Sequence, residues 1–336
     1  MACENSECKT EKLAEALPRP FGLELAGGRL IWHESVDIKG CRVPDCAATK
    51  ASLVDVTGAS ASLPTGVNTP RVIAAQGQNF YFSQCPGNTA TDCSVARCDV
   101  AGCKATGATY LQTGAGNRRA TMLVGVPNAI YTHHGLDGLL RNNVPAGPVV
   151  GENTKWKIGD QLQAFHQDAQ RVLWLDDNAS MANPTGGLFL CPPAGCTGAP
   201  TRLLPPPVRH LAVAPGGSVA FTSSGTAAGS SIIACDAAGC GSAGTVLAPN
   251  QAYVADIAVD ESNVYWSTIG AQSFTANTAA IGTVMKCALP TCAGGPKKIA
   301  ENLLNPVSVR VDPTHVYWVE RGTQNLSNGV ITRRRK

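Results

Sequence analysis

A recurring aromatic strand constrains this chain more than any other feature. Short apolar runs end in an aromatic residue at Leu30-Ile31-Trp32, Phe80-Tyr81-Phe82, Ala129-Ile130-Tyr131, Val172-Leu173-Trp174, Val219-Ala220-Phe221, Val264-Tyr265-Trp266 and Val316-Tyr317-Trp318. Their last residues are separated by steps of 50, 49, 43, 47, 45 and 52. A period of about 47 residues suits one four-stranded propeller blade, a unit that buries its apolar face only by stacking on neighbours.

Each copy has the same grammar. A strand of alternating apolar residues opens after a proline or polar turn, as at residues 20–25 and 306–311. A turn rich in Gly, Asp and Asn follows, at 26–28, 168–170 and 215–217, with backbone angles suited to a hairpin. In the two sharpest copies that turn carries Asp260 and Asp312, read as hairpin residues. The aromatic strand comes next, then a loop of variable length, a third strand and a short fourth such as 245–248 or 297–300.

The ends of the chain complete the pattern. Joined head to tail, Trp318 and Trp32 are 50 residues apart, within the range of the other steps. The expectation is an all-β, seven-bladed β-propeller of four-stranded blades, one domain over residues 1–336. Its blades fall at approximately 17–66, 67–116, 117–155, 156–206, 207–251, 252–303 and 304–336, the last completed by 1–16. Pairing of the N- and C-terminal strands in one blade would close the ring and remove its free edge.

Composition narrows the function classes. Charged residues make up 15% of the chain and the formal net charge is +3, too weak a bias for nucleic acid. No apolar run approaches a membrane-spanning length, so no transmembrane segment is expected. The C-terminal run Arg333-Arg334-Arg335-Lys336 reads as a solvated tail, with acidic lipid or glycan as its functional alternative.

Fourteen cysteines point to an oxidising, extracytoplasmic compartment: periplasm, cell surface or secretion. The first residues carry no export signal, which is expected to lie upstream. Six cysteine pairs share one spacing: Cys3/Cys8, Cys41/Cys46, Cys98/Cys103, Cys191/Cys196, Cys235/Cys240 and Cys287/Cys292. Cys85 and Cys93 lie in a loop of the second copy. Local disulfides pinning tight turns are one reading, and zinc ligation and free thiols are the others. Zinc needs four ligands where one pair supplies two, so no metal is expected.

The phrase Ile257-Ala258-Val259-Asp260 followed by Val264-Tyr265-Trp266 resembles the strand pair of YWTD-type propellers and, more loosely, NHL-like ones. With its Cys-x4-Cys turns, the whole chain resembles Cys-rich propeller repeats of secreted proteins and lipoproteins of the myxobacterial type. The resemblance implies a propeller that binds ligands, with no shared catalytic set.

Loops leaving the aromatic strand converge on one face of a propeller. Their first residues supply the ligand-binding candidates His33, Glu34, His133, His134, Asp176, Asp177, Glu320 and Arg321. Carboxylates and imidazoles from several blades can together hold a cation or a polar ligand; the plainer reading is solvated loop residues. The loops 83–97, 176–187, 267–282 and 321–329 differ most between copies, as recognition loops do. No nucleophile elbow, zinc-protease, P-loop or dinucleotide motif is present, so no cofactor is expected. The reading is a monomeric, non-catalytic binding or scaffold module for a protein or cell-surface polysaccharide. The alternative is a carbohydrate-active lyase or hydrolase using Glu34, His133, Asp176, Asp177 or Glu320.

Overall fold

The computed structural model describes residues 9–34, 37–55, 73–84, 94–104, 109–112, 122–126, 129–133, 139–143, 154–156, 162–176, 186–193, 199–215, 217, 219–224, 229–236, 240, 244–270, 281–323 and 326–336. They are strands almost throughout, and the one helix among them is a single turn, Cys46–Thr49. None of their helices is long and apolar enough to cross a membrane.

Seven sheets hold four strands in hydrogen-bonded order, numbered here I to VII along the chain. Sheet I is Pro20–Ala26, Arg29–Glu34, Asp37–Arg42 and Ala51–Ser52; sheet II is Ile73–Gln76, Asn79–Gln84, Ser94–Asp99 and Thr109–Gln112. Sheet III is Met122–Val126, Ala129–His133, Leu139–Asn143 and Thr154–Trp156; sheet IV is Leu162–Gln167, Val172–Asp176, Gly187–Cys191 and Thr201–Leu204. Sheet V is Val208–Val213, Val219–Ser224, Ser230–Asp236 and Thr245–Gln251; sheet VI is Val254–Val259, Asn263–Thr268, Gly282–Ala288 and Lys297–Leu303. Sheet VII is Pro306–Val311, His315–Glu320 and Gly329–Arg335, with Glu11–Leu17 as its outer strand.

Six of these sheets are full four-stranded blades, which corrects the expectation of a seven-bladed propeller. In sheet I the outer strand shrinks to Ala51–Ser52, with two pairs, Lys39↔Ser52 and Gly40↔Ala51. The cause is the pair of aliphatic residues that follows. Leu53 and Val54 are buried, and the Leu53 N–H donates to the Ile38 carbonyl at 2.9 Å. Val54–Asp55 then pairs in parallel with Cys103–Lys104, forming a small two-stranded sheet. Burying two branched side chains stabilises more than extending a solvated edge strand would. The seven-bladed propeller expected from the repeat is therefore not what the chain builds.

The chain divides into two compact units, residues 1–21 with 163–336, and residues 22–162. Sheets IV to VII belong to the first and sheets I to III to the second, each unit taking all but the edge of its first strand. In the first unit the core lies between successive sheets. Leu173, Leu175 and Leu188 of sheet IV pack with Val208 and Ile233 of V, and Phe221 and Ile232 of V with Trp266 and Val264 of VI. Tyr265 and Val284 of VI pack with Trp318 and Val309 of VII. In the second unit Ile31 and Ile38 of sheet I pack with Phe80 and Phe82 of sheet II around Leu53.

Sheet VII joins the two ends of the chain. Glu11–Leu17 pairs antiparallel with Gly329–Arg335 through Glu11↔Arg333, Lys12↔Thr332, Ala14↔Ile331 and Leu17↔Gly329. Leu13, Ala14 and Leu17 bury the inner side of this strand. The basic run therefore belongs mostly to a strand, not a free tail: Arg333, Arg334 and Arg335 all lie within it.

Disulfides close the turns after the third strands. Cys41–Cys46, Cys235–Cys240 and Cys287–Cys292 have Cα separations of 4.8, 4.3 and 5.0 Å. Cys98 and Cys191 are disulfide-bonded as well. Cys3, Cys8, Cys85, Cys93 and Cys196 lie outside the described residues, and no described cysteine is free.

A close approach of backbones sets how adjacent strands meet in sheets VI and VII. Gly282 starts a third strand, and a Cβ placed on it would lie 2.3 Å from Pro306 Cδ and 2.9 Å from the Leu303 carbonyl oxygen. Gly329 repeats this against Pro20 and Leu17, at 2.2 and 2.9 Å. Proline, having no N–H, suits the first position of a strand and here covers the glycine. Gly282→Ala is expected to cost about 1–3 kcal/mol through overpacking. Gly229→Ala, at a site open for 4 Å around, should change stability little. Urea unfolding of the two variants checks this, and equal midpoints would contradict it.

Candidate functional site

The second strand of each sheet has two ends, and the structure gives them different work. At the loop end the controlling groups are buried indoles. Trp32, Trp174, Trp266 and Trp318 are all at most 2% exposed. An indole N–H removed from water must find an acceptor or forfeit its hydrogen bond. Residues two apart on a strand share a face, so the residue two places beyond the tryptophan is well placed to serve.

Glu34 does so: its Oε1 accepts the Trp32 Nε1–H at 2.7 Å. Glu320 holds the same place after Trp318 and its Oε2 accepts the Leu304 N–H at 2.9 Å. Burial raises the Glu320 pKa, opposed by the Leu304 N–H and the neighbouring Trp318 indole. Asp176 follows Trp174 in the same register and is buried. Sheet VI has Thr268 at this position, and there the Trp266 indole turns to Gln251 Oε1 at 3.0 Å. Glu34 and Glu320, expected to meet a ligand, are thus tied into the fold.

The other expected ligands fall out similarly. His33 is buried at 1% exposure, and burial pushes its pKa down to about 4 against the opposing charge of Asp37. Its imidazole is neutral at physiological pH. The Arg321 N–H donates to the Asn305 carbonyl at 2.9 Å, and its guanidinium sits 6.0 Å from the Phe21 ring centre. His133 ends the strand Ala129–His133, while His134 and Asp177 lie outside the described residues. No cluster of three or more metal-ligating side chains occurs among the described residues.

At the opposite, hairpin end of sheets VI and VII the chain forms a cavity of about 590 Å³. The second strand of six residues separates the two ends by roughly 17 Å. Two aspartates build the cavity wall. Asp312 Oδ1 accepts the N–H groups of Thr314 and His315, both at 2.7 Å, and the Thr314 hydroxyl at 2.9 Å. Its Oδ2 accepts the Tyr317 hydroxyl at 2.6 Å. Asp260 repeats the arrangement with the N–H groups of Ser262 and Asn263, both at 2.8 Å, and the Tyr265 hydroxyl at 3.0 Å. The Lys336 ammonium completes its shell.

Burial works to raise both aspartate pKa values. The Lys336 ammonium and backbone N–H groups outweigh it at Asp260, and the Tyr317 hydroxyl with backbone N–H groups outweighs it at Asp312, so both are held below the ordinary value. The paired phenols are pushed up by burial and the adjoining carboxylates.

A second regularity runs beneath these turns. Where Tyr81, Tyr265 and Tyr317 stand on the second strand, the register partner on the third is a cation: Tyr81↔Arg97, Tyr265↔Lys286 and Tyr317↔Arg333. Where the equivalent position is Ile31, Leu173 or Ala220, the partner is Gly40, Leu190 or Cys235. This pairing brings Lys286 into the cavity wall beside Lys336. Sequence reasoning placed Asp260 and Asp312 in their turns but missed Lys286, for which the Tyr–cation coincidence was the available signal.

No protein-family model and no curated protein matches the chain. Solved structures do resemble it. A chain of the mitotic checkpoint complex is 10% identical with a TM-score of 0.62, covering 99% of this chain and 97% of that one. The extracellular domain of the one-component system BT4673 of B. thetaiotaomicron is 13% identical with a TM-score of 0.61, over 98% of this chain and 43% of that one. The WD40 β-propeller domain of Doa1 is 11% identical with a TM-score of 0.57, over 96% of both chains. The fold is of the β-propeller type. At these identities the likeness reaches no further than the fold.

His33 makes the stability of this propeller pH-dependent in a defined window. The folded chain holds His33 neutral down to about pH 4, whereas an unfolded histidine protonates near 6.5. The unfolded state therefore binds the extra proton, and stability falls as pH drops from about 6.5 towards 4. Between pH 7.5 and 4.5 the loss due to His33 should be roughly 2–3 kcal/mol. Asp168, Asp260 and Asp312, with lowered pKa values, lose their contributions only at lower pH. Urea titrations at the two pH values should show a smaller decrement in His33→Gln, and an unchanged decrement would refute the assignment.

Proposed function

We propose that this chain is a non-catalytic binding or scaffold module that acts outside the cytoplasm as a monomer. Its ligand is a protein or a cell-surface polysaccharide held by one face of the propeller. The observation that carries the reading is the engagement of the best-placed acid–base groups in the fold. Glu34 accepts from Trp32, Glu320 accepts from the Leu304 N–H, and His33 is buried in its neutral form. A glycosidase or lyase needs two carboxyl groups, or a carboxyl and an imidazole, facing a substrate.

The disulfides support an oxidising location, since such bonds persist there and are reduced in the cytosol. The twin Val-Asp and Val-Tyr-Trp phrases support kinship with the Cys-rich YWTD/NHL-like repeats. Two of the similar structures come from a multiprotein complex and an extracellular domain, settings that suit a platform for binding.

Retention of a panel of cell-surface polysaccharides and biotinylated surface proteins on the immobilised chain tests the proposal. Saturable retention with the polysaccharide recovered at unchanged size is expected. Appearance of new reducing ends or of unsaturated uronic acids would overturn the non-catalytic reading.

A further inference from the structure

The cavity between the hairpin turns of sheets VI and VII contains an ammonium, Lys286, with no ion pair or hydrogen bond among the described residues. Asp260 and Asp312 line it, yet each accepts four hydrogen bonds from its own turn, its tyrosine or, for Asp260, Lys336. Four donors fill the acceptor capacity of a carboxylate. Lys286 also lines the cavity, is half-buried, and has neither ion pair nor hydrogen bond among the described residues. Its neighbours are mostly of its own sign: Lys297, Arg334 and Lys336, against Asp260 alone. Burial and these like charges lower its pKa.

We propose that Lys286, with Lys336 beside it, forms the acid-binding subsite for a uronic-acid residue of an acidic polysaccharide. The inference rests on the binding-module reading above and names its ligand class. An ammonium with desolvated sides and no acceptor among the described residues gains a strong, charge-assisted hydrogen bond from an incoming carboxylate. The cavity volume lies in the range of small-molecule sites and accommodates a sugar ring. Its remaining wall combines Glu261, Ser262 and Asn263, groups that suit hydroxyls, with the apolar surface of Pro215, Val259 and Pro313, which suits the face of a sugar ring. Lys336 is held by Asp260 and lies 5.7 Å from the Tyr265 ring, which fixes the second cation near the first.

Calorimetric titration of the full chain with trigalacturonate, its methyl ester and an aspartate-rich peptide tests this. Trigalacturonate should bind, and the uncharged ester should bind about tenfold or more weakly, the size of one charge-assisted hydrogen bond. Lys286→Gln should lose about tenfold in affinity for trigalacturonate with its melting temperature unchanged, and Lys286→Arg should keep most of it. Equal binding of acid and ester, or undiminished binding by a folded Lys286→Gln, overturns the subsite while leaving the binding module intact. Preferential binding of the peptide overturns the sugar assignment. Failure to bind trigalacturonate together with retention of other polysaccharides also refutes the subsite. Failure of every glycan and surface protein refutes the module itself.

Discussion

A buried indole N–H gains from a nearby acceptor, and for Trp32 and Trp266 the architecture at one end of the strands supplies one. The tryptophans supply the bulk that lets neighbouring sheets stack, as Trp266 and Trp318 do between sheets V and VI and between VI and VII. Each brings a donor into a region without water. Two residues further along the same strand face is a convenient place for an acceptor, and Glu34 occupies it. Where sheet VI has a threonine there, Gln251, at the end of the outer strand of sheet V, takes the task.

The opposite end of the strands obeys a different rule. Asp260 and Asp312 close their hairpins by accepting backbone N–H groups and then bind the tyrosine hydroxyl of the next strand. A tyrosine that must point its hydroxyl at the turn lies across from a cation on the third strand. In sheet VII that cation, Arg333, finds Glu11 of the outer strand at 2.7 Å. In sheet VI the outer strand offers Lys297 instead, and Lys286 is left facing the cavity. A difference of one side chain in an outer strand thus separates a structural cation from a candidate ligand-binding one.

The repeat made much of this legible beforehand. Aromatic strands, proline-opened first strands and aspartate hairpins appear where the period puts them, and Glu11–Leu17 lies against Gly329–Arg335. The turn cysteines Cys41/Cys46, Cys235/Cys240 and Cys287/Cys292 are bonded within their pairs. The blade count was not legible correctly. The inward pull of Leu53 and Val54 is a tertiary effect, and their sequence alone reads as a continuing strand. The site was harder still. A glutamate two residues past a tryptophan looks the same in sequence whether it meets a ligand or an indole. The isolation of Lys286 depends on Lys336 having taken Asp260, a contact between residues 76 positions apart.

The central claim is that the carboxylates at the loop end serve the fold, and a double-mutant cycle on Trp32 and Glu34 tests it most directly. Stabilities of the parent, Glu34→Ala, Trp32→Phe and the double variant would be measured by urea unfolding. Loss of the acceptor beside a buried indole should cost about 1–3 kcal/mol in the parent and far less once the indole is gone. A coupling energy of about 1 kcal/mol or more between the two sites is predicted. Additive effects, with no coupling, would contradict the account and return Glu34 to the list of groups available for chemistry.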